Sequence, residues 1–283
     1  MLSMVAGQRD NLKIGAIIQA RMRSSRLPGK ILMPLPYPDG KPLLTWIVEA
    51  VRRSRYVTNI ILATSSAQEN DCLEKFSSDH NIALVRGSEE DVLSRFIQAT
   101  IQHNLDIVVR LTGDNPIVDG KILDDTIKHH LETGNDYTKT SGLPVGTNFE
   151  IVSAKSLISL SDHNLTGDDK EHVTLFLRNS EIFKKSDISI IHEGFSAVRL
   201  TVDYPSDFAA LSILLSFARD NIADLSFAKR IQLSHPWIFE INANNSQRLQ
   251  FQTSREEIQA AISSLEKNGM NHSAAILKKH GIS

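Results

Sequence analysis

The stretch from residue 20 to residue 30, ARMRSSRLPGK, has the residue types that bind phosphate. Its positive charges are Arg21, Arg23, Arg26 and Lys30, with two serines, a proline and a glycine among them. Guanidinium, ammonium and backbone N–H groups are the usual donors to phosphate oxygens. Neither the GxxxxGK[ST] loop nor the GxGxxG fingerprint is present. A solvated basic turn is the alternative, and we favour phosphate binding because the stretch directly follows an apolar run, KIGAIIQA.

Two aspartates also come at the ends of apolar runs. Asp114 follows VVRLTG, and Asp203 ends VRLTVD. Ligands of open α/β sheets collect at the carboxyl ends of strands, where a carboxylate can bind Mg²⁺. Each aspartate could instead cap a turn, because Asn-Pro follows the first and Tyr-Pro the second. For Asp114 taken alone, turn capping is the favoured interpretation.

Strands and helices alternate in the first half of the chain. Apolar runs predict strands at 13–20, 58–64, 82–87 and 106–113. Amphipathic segments predict helices at 41–54, 68–80, 89–103 and 119–133, the third with Ser88 as its N-cap. This alternation predicts an α/β fold with a mostly parallel sheet covered on both faces.

The pattern changes after residue 133. Short strands are predicted at 135–140, 147–154, 186–192 and 197–203, with helices at 155–161, 169–179 and 206–220. From residue 222 the alternation is lost, and the clearest element is a helix at 254–269 that stops at Gly269. We therefore expect an N-terminal tail (1–12), a main domain (13–221) and a mainly helical C-terminal extension (222–283).

Composition limits the kind of protein. The 283 residues are 41% hydrophobic and 23% charged, with a net charge of −2, which is typical of a globular protein without a nucleic-acid or membrane partner. The single cysteine, Cys72, excludes an intramolecular disulfide framework. No apolar run approaches the roughly 18 residues of a membrane-spanning helix, and no secretory signal is visible. A cytoplasmic protein is expected.

The basic stretch belongs to a longer block, QARMRSSRLPGKILMPL, which resembles the opening of the CMP-sugar cytidylyltransferase superfamily, acylneuraminate- and Kdo-cytidylyltransferase-like. Within it the chain is most similar to the spore-coat polysaccharide biosynthesis branch. GSEEDVLSRF, VVRLTGDNPIVD, EHVT and VRLTVDYPSD extend the likeness over about the first 220 residues. The resemblance implies a three-layer, Rossmann-like nucleotidyltransferase fold of the glycosyltransferase-A type, with a mixed, mostly parallel sheet.

The resemblance also implies a reaction. A cytidylyltransferase would transfer CMP from CTP to a sugar acid or a related sugar or polyol, or its phosphate, and release pyrophosphate for surface glycan synthesis. Asp114 and Asp203 as a pair would then bind Mg²⁺, and this favours metal binding over turn capping. The residues implied to hold the phosphates are Arg21, Ser24, Arg26 and Lys30. Arg21, Lys30 and the two aspartates are the implied catalytic residues.

Further site residues follow from the same likeness. Arg86 and Ser88 would lie near the base, although Arg86 is equally explained as a solvated strand-end charge. Arg110, inside a strand, needs a partner, which is either a carboxylate such as Asp203 or the nucleotide or acceptor. The residues implied for acceptor binding are Asn148, Glu150, Glu171 and His172. For Glu171 the alternative is a favourable helix N-terminal charge, and for His172 a structural role.

The chain departs from the family's sequence pattern at two positions, and three alternatives to the cytidylyltransferase interpretation stay open. Arg23 stands where relatives have glycine, and Asn148 where they tend to have aspartate. A glycosyltransferase that uses a nucleotide-sugar would carry a DxD motif, which is absent where expected, although Asp124 and Asp125 are adjacent. A non-catalytic nucleotide-binding protein would have lost the basic loop or the aspartates, and both are intact. The base itself is not fixed by the fold. Homodimers are common among relatives, so a dimer is expected.

Overall fold

The computed structural model describes residues 12–191, 193–218, 222–245, 254–267 and 269–280. Except for residue 12, the predicted N-terminal tail lies outside these ranges. The chain forms two compact units, one up to Asn244 and one from Asn245 onward. All residues predicted to form the site belong to the first unit.

The first unit is built on a seven-stranded sheet. Nine strands are described in it: β1 (Ile14–Gln19), β2 (Pro34–Leu35), β3 (Lys41–Pro42), β4 (Asn59–Ser65), β5 (Ala83–Gly87), β6 (Ile107–Thr112), β7 (Tyr137–Ser141), β8 (Glu150–Ser153) and β9 (Lys185–Ser189). β2 and β3 pair separately, and the sheet has the order β5-β4-β1-β6-β8-β7-β9. Four of its neighbouring pairs are parallel, and only β8 runs antiparallel to β6 and β7. The predicted mixed, mostly parallel sheet is confirmed.

Helices cover both faces of this sheet. In the described part of the first unit they are α1 (Leu43–Val51), α2 (Cys72–Asp79), α3 (Val92–Gln102), α4 (Gly120–Thr133), α5 (Ala154–Ser159), α6 (Gly167–His172), α7 (Leu175–Asn179), α8 (Pro205–Ser216), α9 (Leu225–Ser234) and α10 (Trp237–Glu240). Successive strand residues point to opposite faces. Accordingly, Ile18 of β1 lies in one core with Val48 and Leu211, and Ile17 lies in the other with Phe96 and Leu157. Burial on both faces explains why β1 is apolar up to Gln19.

Three predicted elements are wrong in detail. Helix α3 has Asp91, not Ser88, as its N-cap, and the Asp91 carboxylate accepts from the N–H of Ser94 at 2.8 Å. The segment 197–203 is not a strand, since its one ladder contact is a bridge between Arg199 and Val145. The predicted helix 169–179 is divided into α6 and α7 at Val173.

The segment after residue 222 is not uniform. Leu225, Phe227 and Ile238, from α9 and α10, complete the core around α1 and α8. The second unit contains α11 (Ser254–Lys267) and α12 (Asn271–His280), which pack against each other. Among the described residues, every helix is too short or too polar to cross a membrane.

Candidate active site

The basic loop is held in a defined shape between β1 and a short 3-10 helix, Lys30–Leu32. Gly29 precedes this helix with φ = 73°, a conformation that favours glycine, and its N–H donates to the Met22 carbonyl at 2.8 Å. The Met22 N–H donates to Oδ1 of Asn70, also at 2.8 Å. Asn70 is buried and donates through Nδ2 to Ser65 at 2.7 Å. Sequence reasoning missed Asn70, which fixes the base of the loop from 48 residues away.

Within the described part of the chain, two arginines of the loop form only long, exposed ion pairs. Arg21 and Arg23 lie 4.0 and 3.9 Å from Glu89, with 46% and 74% of their side chains exposed. Exposed pairs of this kind contribute little to stability. The two guanidinium groups are therefore available to an anionic ligand. Ser24 is turned toward its own loop, where its Oγ accepts from the Leu27 N–H at 3.4 Å.

Lys30 lies between the two predicted metal ligands. Its Nζ is 3.0 Å from Oδ2 of Asp114, 3.0 Å from Oδ1 of Asp203 and 2.6 Å from the Val202 carbonyl. The lysine is only 8% exposed. Arg26 also reaches Asp203, at 3.1 Å, and lies over the Tyr204 ring. Burial raises the pKa of Asp203, but Lys30 and then Arg26 outweigh it and hold that pKa below its ordinary value.

This geometry suits a divalent cation. One carboxylate oxygen of Asp114 and one of Asp203 lie at the same distance from the positively charged Lys30 ammonium. Carboxylate oxygens are also the ligands that Mg²⁺ prefers. Backbone contacts hold the two segments together, because the Val202 N–H donates to the Asp114 carbonyl at 2.9 Å. Gly113 permits the close approach of this segment to the end of β1, since a Cβ there would lie 2.7 Å from Cβ of Ala20.

A second polar group surrounds Glu150. Its carboxylate accepts from Arg110, from the Tyr137 hydroxyl and from Thr174 Oγ1, the last at 2.8 Å. The expected carboxylate partner of Arg110 is Glu150 and not Asp203, because Arg110 and Glu150 are directly paired in the β6–β8 ladder. Burial would raise the pKa of Glu150, but Arg110 and the Tyr137 hydrogen bond lower it below the ordinary value.

The EHVT segment approaches this group through an unusual turn. Val173 has φ = 58° and ψ = −56°, and the Thr174 N–H donates to the His172 carbonyl at 2.5 Å. Positive φ is strained for a β-branched residue. The turn directs Thr174 to Glu150, while His172 remains half-buried and Glu171 exposed. Burial lowers the pKa of His172, which favours the neutral imidazole.

A cleft opens where β6 and β8 diverge beyond Arg110 and Glu150. Its polar lining includes Thr112, Asn115 and Thr147 together with Asn148. Asn148 is exposed, and its Oδ1 accepts from Thr140 at 3.3 Å. These groups suit a polyhydroxylated ligand because they combine donors and acceptors without a formal charge.

The side chains of Arg86 and Ser88 are engaged by other residues of the protein. The Arg86 guanidinium pairs with Asp71 at 2.7 Å and with Glu74, and it donates to the Ser65 and Ala67 carbonyls. Ser88 Oγ accepts from the Asp91 N–H at 3.1 Å. A role of Arg86 and Ser88 near the base stays a prediction.

A basic loop after β1 faces two carboxylates, Asp114 just past the carboxyl end of β6 and Asp203 just before α8. This arrangement is typical of proteins that bind nucleotide phosphates together with a cation. The chain matches the Cytidylyltransferase family model over residues 15–258 and belongs to that family. It is therefore an enzyme of the nucleotidyltransferase type, and the resemblance to CMP-sugar cytidylyltransferases is confirmed.

Individual relatives agree with this assignment. The chain is 38% identical over 224 residues to the spore coat polysaccharide biosynthesis protein SpsF of Bacillus subtilis (strain 168), covering 77% of this chain and 92% of the relative. A cytidylyltransferase structure from Leptospira borgpetersenii superposes with a TM-score of 0.75 at 27% identity, covering 84% of this chain and 100% of that one. A CMP:2-keto-3-deoxy-manno-octonic acid synthetase complexed with CTP shares the fold at 17% identity, with a TM-score of 0.55 over 72% of this chain and 98% of that one.

Proposed function

We propose that the protein transfers CMP from CTP to a sugar-type acceptor, with release of pyrophosphate, in the synthesis of a surface polysaccharide. The acceptor class is a sugar acid or a related sugar or polyol, or its phosphate. The observation that carries this proposal is the convergence of Lys30, Asp114 and Asp203 beside the exposed arginines of the basic loop. The family match supports cytidylyl transfer, and the name of SpsF supports a place in polysaccharide synthesis.

Asp114 and Asp203 are the residues that would hold Mg²⁺. The metal, when bound, would supply charge neutralisation at the triphosphate. Lys30 and Arg26 presently share the Asp203 carboxylate. With CTP present, their donors would be redirected in part to phosphate oxygens, where charge-assisted contacts are strong. Arg21, with Arg23 beside it, would bind the leaving pyrophosphate.

The acceptor would occupy the cleft beyond Arg110 and Glu150. Its hydroxyl or phosphate oxygen would attack the α-phosphorus in line, a reaction that depends mainly on positioning and charge stabilisation. Asn148 and the exposed Glu171 would bind acceptor hydroxyls. His172, whose neutral form is favoured by burial, would accept the proton of an attacking hydroxyl. Glu150, already hydrogen-bonded to three partners, would orient Arg110 toward the acceptor.

The glycosyltransferase alternative has less support. Asp124, the candidate for a displaced metal motif, is buried and accepts from Arg55 Nε at 2.9 Å and from Ser54 at 2.6 Å. Its neighbour Asp125 faces Lys121 on the helix surface. Both carboxylates lie on α4 rather than at a strand end.

Pyrophosphate release tests the proposal. CTP, UTP, ATP and GTP are each supplied with Mg²⁺ and a panel of ulosonic acids, neutral sugars and polyol phosphates. We expect release with CTP that requires an acceptor and is lost in Asp114→Ala but retained in the surface control Asp125→Ala. Turnover of a preformed nucleotide-sugar, with none of any triphosphate, would contradict it. Homodimer formation and a cytoplasmic location stay predictions.

A further inference from the structure

A buried cluster of charged and polar side chains lies directly behind Asp203. It consists of Arg199, Asp207 and Asn242, and we call it the Asp207 cluster. Asp207 is fully buried, and the other two residues are 5% and 1% exposed. Arg199 binds both oxygens of Asp207 in a fork, each at 3.1 Å, and Asn242 Nδ2 donates to Oδ1 at 2.9 Å. Sequence reasoning assigned none of these residues.

The same carboxylate also holds the backbone that carries Asp203. Oδ2 of Asp207 accepts from the N–H groups of Asp203 and Tyr204, each at 3.0 Å. Because α8 begins at Pro205, these contacts also stabilise the N-terminus of that helix. Helix capping alone would require neither the arginine fork nor the buried asparagine.

Arg199 is a potential competitor for Asp203. Its Nη2 lies 3.1 Å from Oδ2 of Asp207, and Oδ2 of Asp203 is also close, at 3.7 Å from the same nitrogen. A buried guanidinium needs partners that compensate its charge, because burial of an unpaired charge is very costly, and here the partner is the Asp207 carboxylate. If Asp207 lost its charge, Asp203 would be the nearest acidic replacement that the structure records for Arg199. A closer Arg199–Asp203 pair would withdraw an oxygen from the cation site.

We infer that Asp207 is a positioning residue for the divalent-cation site, acting by neutralising Arg199 and by fixing the backbone of Asp203. Asp207 thereby leaves the Asp203 carboxylate turned toward Asp114 and Lys30. The inference rests on the proposed role of Asp203 as a metal ligand. Asn242, which comes just after α10, extends the support of the site into the segment that follows residue 222.

The test measures Mn²⁺ binding rather than turnover. Electron paramagnetic resonance of free Mn²⁺ gives its dissociation constant in the presence of α,β-methylene-CTP. We expect Asp207→Asn to weaken Mn²⁺ binding about 10- to 100-fold, as loss of a residue supporting a metal ligand typically does. In the double variant Arg199→Met/Asp207→Asn the competing cation is gone, so most of the affinity should return.

The matched control is Asp124→Asn. Asp124 is also a buried aspartate, 4% exposed, and it is paired with Arg55 away from the cation site. Its loss should lower the melting temperature without changing Mn²⁺ binding. Unchanged Mn²⁺ binding in Asp207→Asn, or an equal weakening in Asp124→Asn, would overturn the inference. A double variant no better than Asp207→Asn would overturn the competition by Arg199.

If Asp207→Asn does not fold, Asn242→Ala replaces it. That variant removes one neutral donor to Asp207 and should weaken Mn²⁺ binding about two- to tenfold, and no change would overturn the inference. CTP turnover by the wild-type protein is measured separately. If the wild-type protein turns over CTP but the variants bind Mn²⁺ normally, the proposed function stands and the positioning role of Asp207 is rejected. If the variants bind Mn²⁺ more weakly but the wild-type protein does not turn over CTP, the positioning role stands and the proposed function is rejected.

Discussion

Replacement of Lys30 by methionine should make the metal-free protein less stable but more responsive to Mg²⁺. The lysine ammonium is the shared counter-ion of Asp114 and Asp203, at 3.0 Å from each. At an effective dielectric constant of about 20, each of these contacts represents about 5 kcal/mol of attraction before desolvation. Removing one partner of a buried ion pair costs about 3–5 kcal/mol net. The lower end applies here, because Arg26 stays beside Asp203.

The assay is the melting temperature with and without MgCl₂. A loss of about 3 kcal/mol lowers the melting temperature by roughly 6–12 °C in a chain of this size. Since Mg²⁺ binds where the ammonium was, it should restore part of that loss, by about 2.7 kcal/mol when present at a hundred times its dissociation constant. Turnover of CTP should nevertheless fall, because Lys30 can no longer reach the phosphates.

Lys41→Met is the control for this experiment. Lys41 pairs with Glu49 and lies over the Trp46 ring, so its removal also breaks an ion pair, but one outside the site. Mg²⁺ should shift the melting temperature of this variant no more than that of the wild-type protein. The reasoning would be refuted if Mg²⁺ raised the melting temperatures of wild type, Lys30→Met and Lys41→Met by the same amount.

Three further predictions concern the supports of the site. Asn70→Ala leaves the loop N–H unsatisfied and should lower kcat/KM for CTP about tenfold, and steady-state kinetics showing no change would refute this. Gly113→Ala should cost about 1–3 kcal/mol in urea unfolding through its close contact, whereas Gly120→Ala, with open space around it, should cost nothing. Burial lowers the pKa of His130 to about 4. Between pH 6.5 and about pH 4, the histidine therefore gains a proton only in the unfolded chain. As the pH falls through this range, the free energy of unfolding should decrease by about 3 kcal/mol. Urea unfolding at both pH values should show a smaller fall in His130→Gln, and an equal fall would contradict the assignment.

The sequence was sufficient to predict the strands and site residues whose signals lie in short, local stretches of the chain. Apolar runs at 13–20 and 106–113 predicted β1 and β6, and the phosphate-binding residue types directly followed the first of them. Asp114 and Asp203 could be placed at the same edge because both follow apolar runs. That Arg199 and its neighbours form a single bridge instead of a strand was not predictable, since the segment has the alternation of a strand.

The residues that sequence reasoning missed act through long-range contacts. Asn70 contacts Met22 across 48 residues, and Asn242 contacts Asp207 across 35. No local sequence pattern predicts such long-range contacts. The turn at Val173 was missed for a related reason, because a β-branched residue at positive φ is held there by its surroundings. The N-cap was misplaced because Ser88 and Asp91 are both good caps, and contacts decide between them.

The central claim is that the acceptor attacks the α-phosphorus of CTP. Parallel reactions with CTP labelled at the α- or the γ-phosphate test it most directly. We predict that the α-label appears in the sugar product and the γ-label in pyrophosphate, and that both transfers are lost in Asp114→Ala. A γ-label in the sugar product, or either label in inorganic phosphate without an acceptor product, would contradict nucleotidyl transfer.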